Sequence, residues 1–213
     1  MTYIIMCGGQ YAEWKTPRQL LQVCGETIVR RTIRLLREAG VEDVAISADD
    51  VRFDKLGVPV LRHDNDFRAT EHGCEGAWVH AFFPTDEPAC YLMGDVVYSP
   101  EAIRTIVAME TDDVLFFSSR PPFSPLFIKQ WAEPYAFKVA NQRRFRAAVD
   151  YVAASVDSGI FRRHPIAWEL WQVLIGRNVR DIDYGTVTPI NDYTCDVDHP
   201  EDAARLEAIL CGL

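Results

Sequence analysis

Apolar and polar positions alternate along this chain in blocks that switch between two periods. Tyr3 to Met6 is a short apolar run that ends at Gly8-Gly9, the pattern of a buried strand running into a loop. From Thr27 the period changes. Ile28, Thr32, Leu35, Leu36 and Ala39 recur at helical spacing, Arg30, Arg34 and Arg37 oppose them, and Gly40 supplies a stop. Asp43 to Ser47 and Val58 to Leu61 read as strands. His72 to Phe83 reads as a helix closed by Pro84 and Pro88. Ala89 to Met93 reads as a strand running straight into Gly94-Asp95. Pro100 opens a helix through Met109, at the position where proline is tolerated, and Val114 to Ser118 is again a strand. Strand and helix thus alternate over residues 1–118. This order predicts an α/β fold, a Rossmann-like, mostly parallel mixed sheet flanked by helices.

Arg120-Pro121-Pro122-Phe123-Ser124-Pro125 breaks the alternation and predicts a long connection over the sheet. Beyond it, Tyr135 to Ala140 and Val179 to Tyr184 read as strands. Arg143 to Ser158, Pro165 to Ile175 and Glu201 to Leu210 read as helices, the first two stopped by Gly159 and Gly176. No repeat and no linker divides the chain. A single domain over residues 1–213 is expected, with halves meeting near residue 118.

Charge narrows the partners. With 22 basic and 31 acidic residues the net charge is −9 and no basic block occurs, which disfavours nucleic acid. An anionic ligand would have to be met locally, by a few cations, backbone N–H groups or a metal. No apolar run approaches a membrane span, and Met1 to Met6 has no basic flank of an export signal, so a cytoplasmic protein without membrane contact is expected. The six cysteines are scattered without zinc spacing and read as reduced, mostly buried thiols. Trp168 and Trp171 read as core packing or a subunit contact in preference to the lining of a sugar pocket, and the arginines after Thr27 as a solvated helix face.

In an open α/β sheet, ligands gather at the carboxyl ends of the strands. Three features have that placement: the Gly8-Gly9 loop, Asp95 after its strand, and Asp196 and Asp198 before the last helix. Each alone is an ordinary turn or cap. Their order and spacing together resemble the nucleotidyltransferases of the glycosyltransferase-A-like fold. That family opens with a strand and a Gly-rich loop, then a Pro-Lys dipeptide and a Gly before a helix. Here this reads Ile4-Ile5-Met6-Cys7-Gly8-Gly9, Pro17-Arg18-Gln19-Leu20-Leu21 and Val23-Cys24-Gly25. The family's apolar-Gly-Asp stretch corresponds to Leu92-Met93-Gly94-Asp95, and its C-terminal acidic site to Asp196-Val197-Asp198-His199-Pro200-Glu201-Asp202. Two departures stand out. The loop lacks the second Gly and the Arg of the family pattern, and Arg18 replaces the lysine after the proline.

The resemblance implies a metal-dependent transfer joining a nucleoside triphosphate to a sugar phosphate or similar phosphorylated acceptor, with release of pyrophosphate. It implies Mg²⁺ held by Asp95 with Asp196 or Asp198. Cys7, Gly8, Gly9, Gln10, Gly73 and Asp95 would form the nucleotide site. Lys15 and Arg18 would be the catalytic cations. Arg120, Glu133 and Lys138 are candidate acceptor contacts. The short chain is more like the compact cytidylyltransferases and molybdopterin-type guanylyltransferases than the longer thymidylyltransferases, which favours CTP. A homodimer stays open. The alternatives are a glycosyltransferase of the same fold and a nucleotide-binding domain without catalysis.

Overall fold

The computed structural model describes residues 1–8, 16–63, 81–119 and 132–212. Seven strands form the main sheet: β1 (Thr2–Met6), β4 (Val44–Ala48), β5 (Val60–Arg62), β6 (Ala89–Met93), β8 (Val114–Ser118), β9 (Pro134–Val139) and β10 (Thr188–Pro189). Their spatial order is β10-β8-β9-β6-β1-β4-β5. The β1–β4, β1–β6, β4–β5 and β8–β10 pairs are parallel, and only β9 runs against its two neighbours. The mostly parallel mixed sheet expected from the alternation is therefore present.

Two small antiparallel ribbons complete the strand set. One pairs β2 (Gln22–Val23) with β3 (Glu26–Thr27), the other β7 (Val96–Val97) with β11 (Cys195–Asp196). Five helices are described: α1 (Ile28–Glu38), α2 (Pro100–Ala108), α3 (Gln142–Ala154), α4 (Ala167–Leu174) and α5 (Pro200–Cys211). The starts of α1 and α2 follow from local chemistry. The Thr27 hydroxyl accepts from Arg30 N, and Ser99 Oγ accepts from Ala102 N, each satisfying an otherwise orphan donor.

Each face of the sheet buries a core. Ile5, Ile46, Leu92 and Phe117 pack with Val29, Ile33 and Leu36 of α1 and Ile103 and Ile106 of α2. On the opposite face Ile4, Tyr91, Phe116 and Phe137 pack with Phe145 of α3 and Trp168 and Trp171 of α4. Both tryptophans lie beside the Phe116 ring, at 5.0 and 5.6 Å between centroids, so they are core. A third, smaller cluster of Val23, Ile28, Val97, Cys195, Val197 and Leu206 joins both ribbons to α1 and α5. It positions the candidate site.

Two expectations are corrected. Val179 to Tyr184 is not a strand. Asn178 Oδ1 accepts from Arg180 N and Asp183 Oδ1 from Gly185 N, so short polar side chains turn the backbone there and the edge strand forms later, at β10. The cysteines are not all free thiols, because Cys24 and Cys211 are joined in a disulfide. Its ends directly follow Val23 and Leu210, residues of that third cluster, and lie 6.2 Å apart between Cα atoms although 187 residues separate them. The helix expected over His72 to Phe83 lies almost wholly outside the described residues. The arginine face of α1 is a solvated one: Arg34 pairs with Glu26 and Glu38, each at 2.9 Å, and Arg30 and Arg37 donate to the carbonyls of Lys55 and Gly57.

Candidate active site

The site is assembled at the carboxyl ends of β1 and β6. At Gly94 the chain leaves β6 against the end of β1, with Gly94 N donating to the Met6 carbonyl at 3.0 Å. A Cβ at this position would collide with that same carbonyl oxygen and stand 3.0 Å from Cys7 Sγ, so only glycine fits. Asp95 follows, and its carbonyl accepts from Val197 N at 3.0 Å. The β7–β11 ribbon sets Asp196 opposite Val96. These contacts bring the two acidic segments together, although about a hundred residues separate them in sequence.

Arg18 lies between those segments. It belongs to a single 3-10 turn, Arg18–Leu20, and is only 8% exposed. Its Nη2 is 2.6 Å from Asp95 Oδ2 and its Nη1 2.5 Å from Asp198 Oδ1, and Nη1 also donates to the Val197 carbonyl at 3.0 Å. The planar fork of a guanidinium allows this. A lysine ammonium is a single point and could not span both carboxylates in the same way.

Glu133, Asp196 and Asp198 form a second cluster, each offering an oxygen within 4.8 Å of the others. Glu133 arrives there because β9 is reversed. The start of β9 lies beside the end of β8, where Ser119 N donates to the Glu133 carbonyl and Glu133 N donates to Ser119 Oγ. The same reversal carries Lys138 away. It lies opposite Cys90, near the start of β6, and its ammonium donates to the carbonyls of Ile106 and Val107 at the end of α2. The expectation that Lys138 contacts an acceptor is thus corrected: it closes a helix C-terminus, where a cation is favoured.

Beneath the acids runs a hydrogen-bond network that sequence reasoning missed. Tyr135 OH donates to the Thr194 carbonyl and Tyr98 OH to the Tyr135 carbonyl, both at 2.6 Å. Thr194 Oγ1 accepts from Ser99 N, and Asp192 Oδ1 from Thr194 N. Burial drives both phenols well above the ordinary tyrosine range, and nearby acids add to it, Asp95 at Tyr98 and Asp196 and Glu133 at Tyr135. Asp202 Oδ2 accepts from the backbone N–H groups of Asp198 and His199, fixing the turn into α5. The signal for this last contact was legible: Asp202 stands four residues after Asp198, with Pro200 opening the helix.

Of the other expected site residues, Cys7 is buried, and its thiol is pushed well above its ordinary pKa by burial and then by Asp95. Gly8 follows β1, and a Cβ there would stand 3.0 Å from the Ala81 side chain. Gly9, Gln10, Lys15, Gly73 and Arg120 lie outside the described residues. The structure therefore brings together Arg18, Asp95, Glu133, Asp196 and Asp198, and it separates Lys138 from them.

Comparison with known proteins places this geometry. Residues 3–159 match the MobA-like NTP transferase domain. A bifunctional IPC transferase and DIPP synthase from Rubrobacter xylanophilus is 27% identical over 124 residues, covering 55% of this chain; the chain spans 28% of that relative's length. Among solved structures, 4-diphosphocytidyl-2C-methyl-D-erythritol synthase from Anaerococcus prevotii superposes with a TM-score of 0.58 at 13% identity, over 99% of this chain and 97% of that one. The 2-C-methyl-D-erythritol 4-phosphate cytidylyltransferase of Thermus thermophilus does so with a TM-score of 0.58 at 15% identity, over 98% of each chain. At these identities the two structures speak for the fold. Among the described residues, no helix is long and apolar enough to cross a membrane.

Proposed function

The chain belongs to the MobA-like NTP transferase domain family, and on that premise we propose that it is a metal-dependent nucleotidyltransferase. In this reading it joins a nucleoside triphosphate, CTP by preference, to a sugar phosphate or similar phosphorylated acceptor. The observation that carries the reading is the convergence of Arg18 with four carboxylates at the carboxyl ends of the sheet. The nucleotide preference rests on the compactness of the chain.

A phosphate oxygen of the acceptor attacks the α-phosphorus, the bond from that phosphorus to the bridging oxygen breaks, and pyrophosphate leaves. The acceptor oxygen already carries charge at neutral pH, so the reaction calls for no general base. The protein has to hold two mutually repelling anions in line, which is a task of positioning and charge compensation. Arg18 supplies a buried guanidinium for phosphate oxygens, kept in orientation by Asp95. Gly8, which follows β1, would offer its backbone N–H to the triphosphate. Tyr135 and Asp202 keep the acidic segments in register.

The donor set fits Mg²⁺, since three carboxylates supply hard oxygen ligands and two of them are buried. Glu133, Asp196 and Asp198 would hold it. This differs from the expected pairing of Asp95 with Asp196 or Asp198, because Asp95 stands outside the group of mutually close carboxylate oxygens. When bound, the ion neutralises phosphate charge. In this reading Asp196 and Asp198 would serve as ligands, and Glu133, a candidate acceptor contact in the sequence, would serve as the third.

Pyrophosphate release, measured with a panel of triphosphates and phosphorylated acceptors, tests the reading. Release should require a divalent cation and fall at least about a hundredfold in Asp198→Asn, roughly 2.7 kcal/mol of barrier. Folded wild-type protein that releases none with any pair, or that transfers sugar from a nucleotide sugar instead, defeats it.

A further inference from the structure

Asp198 answers to two cations. One of its oxygens is 2.5 Å from Arg18 Nη1, and it also supplies one corner of the cluster with Glu133 and Asp196. A guanidinium at that distance neutralises the carboxylate and repels any ion approaching it, so the ion pair and a divalent cation compete for the same charge. Exposure separates the three acids. Glu133 and Asp196 are buried, whereas the Asp198 side chain is 31% exposed and the Asp95 side chain 20%. Asp198 is therefore the acid of the cluster most open to an incoming phosphate, and the Arg18 guanidinium paired with it is itself buried.

We propose that Arg18 is the resident counter-ion of Asp198 and gates the metal site: a divalent cation gains full hold on Asp198 only when the guanidinium turns from it to a phosphate. The inference rests on the metal-dependent reading above and deepens it. It makes metal and nucleotide mutually dependent, since a phosphate that draws Arg18 away raises the affinity for the cation and the cation returns the favour by linkage. In the empty protein the internal ion pair keeps the cluster closed to solution cations. The fork is what makes the device specific to arginine: Nη2 stays anchored on Asp95 while Nη1 holds or releases Asp198.

The test is Mn²⁺ binding to the nucleotide-free protein, followed by calorimetry or by the electron paramagnetic resonance of free Mn²⁺. Arg18→Gln should bind Mn²⁺ roughly fivefold or more tightly than wild type, the low end of ordinary coupling between sites. Arg18→Lys keeps the charge and loses the fork. A general field effect leaves its affinity at the wild-type value, whereas the proposed competition places it between wild type and Arg18→Gln. Folded variants that bind Mn²⁺ no more tightly than wild type overturn the gate. If Arg18→Gln does not fold, Arg18→Lys decides on the same criterion. Wild type that binds no Mn²⁺ even with CTP present defeats the metal-dependent reading itself, and the gate with it. Tight binding with CTP, combined with unchanged affinities in the variants, defeats the gate alone.

Discussion

At the scale of single residues, the strongest constraint in the site is imposed by Gly94, which has no functional group. Asp95 reaches Arg18 because the backbone at Gly94 lies against the Met6 carbonyl, so closely that a methyl group has no room. The obstacle is backbone within a paired strand and cannot swing aside as a side-chain tip would. Gly94→Ala should cost about 1–3 kcal/mol or more in urea denaturation, as overpacking does. The same substitution displaces Asp95 from its 2.6 Å contact with Arg18. Denaturation at the wild-type midpoint would show that the β1–β6 junction yields. The Gly-Asp pair was visible in the sequence and so was its place after an apolar run. Arg18 was visible as a cation at the place of the family's Pro-Lys lysine. That it grips two carboxylates depends on a meeting of segments from both ends of the chain, and local spacing does not encode such a meeting.

At the scale of elements, legibility follows length and punctuation. β1, β6 and β8 are apolar runs bounded by Gly, Pro or Ser, and all three stood out. The two ribbons have strands of only two residues and left no period to read. β9 was legible as a strand, but alternation is the same in either direction. Its reversal decides that Glu133 enters the site while Lys138 caps α2. The Tyr135 hydroxyl then holds the start of β9 to the segment leading into Asp196, through the Thr194 carbonyl. Tyr135→Phe leaves that carbonyl buried and unpaired, so stability should fall by about 1–3 kcal/mol. The pH dependence has a definite sign. Tyr98 and Tyr135 have folded pKa values raised by burial, so their contribution is complete below the unfolded value of about 10 and is lost as pH climbs above it. Denaturation midpoints that rise between pH 9 and 11, or a Tyr135→Phe protein as stable as wild type, would rule out this account of the network.

At the scale of the whole molecule, the site is held from two sides. Arg18 precedes the β2–β3 hairpin, and Asp198 precedes α5. The disulfide between Cys24 and Cys211 ties that hairpin to the end of α5, with Cys24 N donating to Glu207 Oε1 beside it. Cys24 and Gly25 both have positive φ, 52° and 77°, as a two-residue hairpin turn of the primed type requires, so the cysteine is presented at the tip. A cross-link spanning 187 residues restricts the unfolded chain severely, and breaking it should cost about 2–5 kcal/mol. Cys24→Ser and Cys211→Ser should each lower the denaturation midpoint to the same value, because either one removes the whole bond. Thiol counting supplies an independent check. Cys7, Cys90 and Cys195 are buried and take no part in the disulfide, and burial raises the Cys7 and Cys90 thiols above their ordinary pKa, so none of the three should alkylate in the folded protein. In denaturant without reductant, four of the six cysteines should alkylate, and all six once reductant is added. Six alkylated cysteines without reductant would show that the bond does not form, and the hairpin and α5 would then be held together by the third core cluster and the Cys24–Glu207 hydrogen bond.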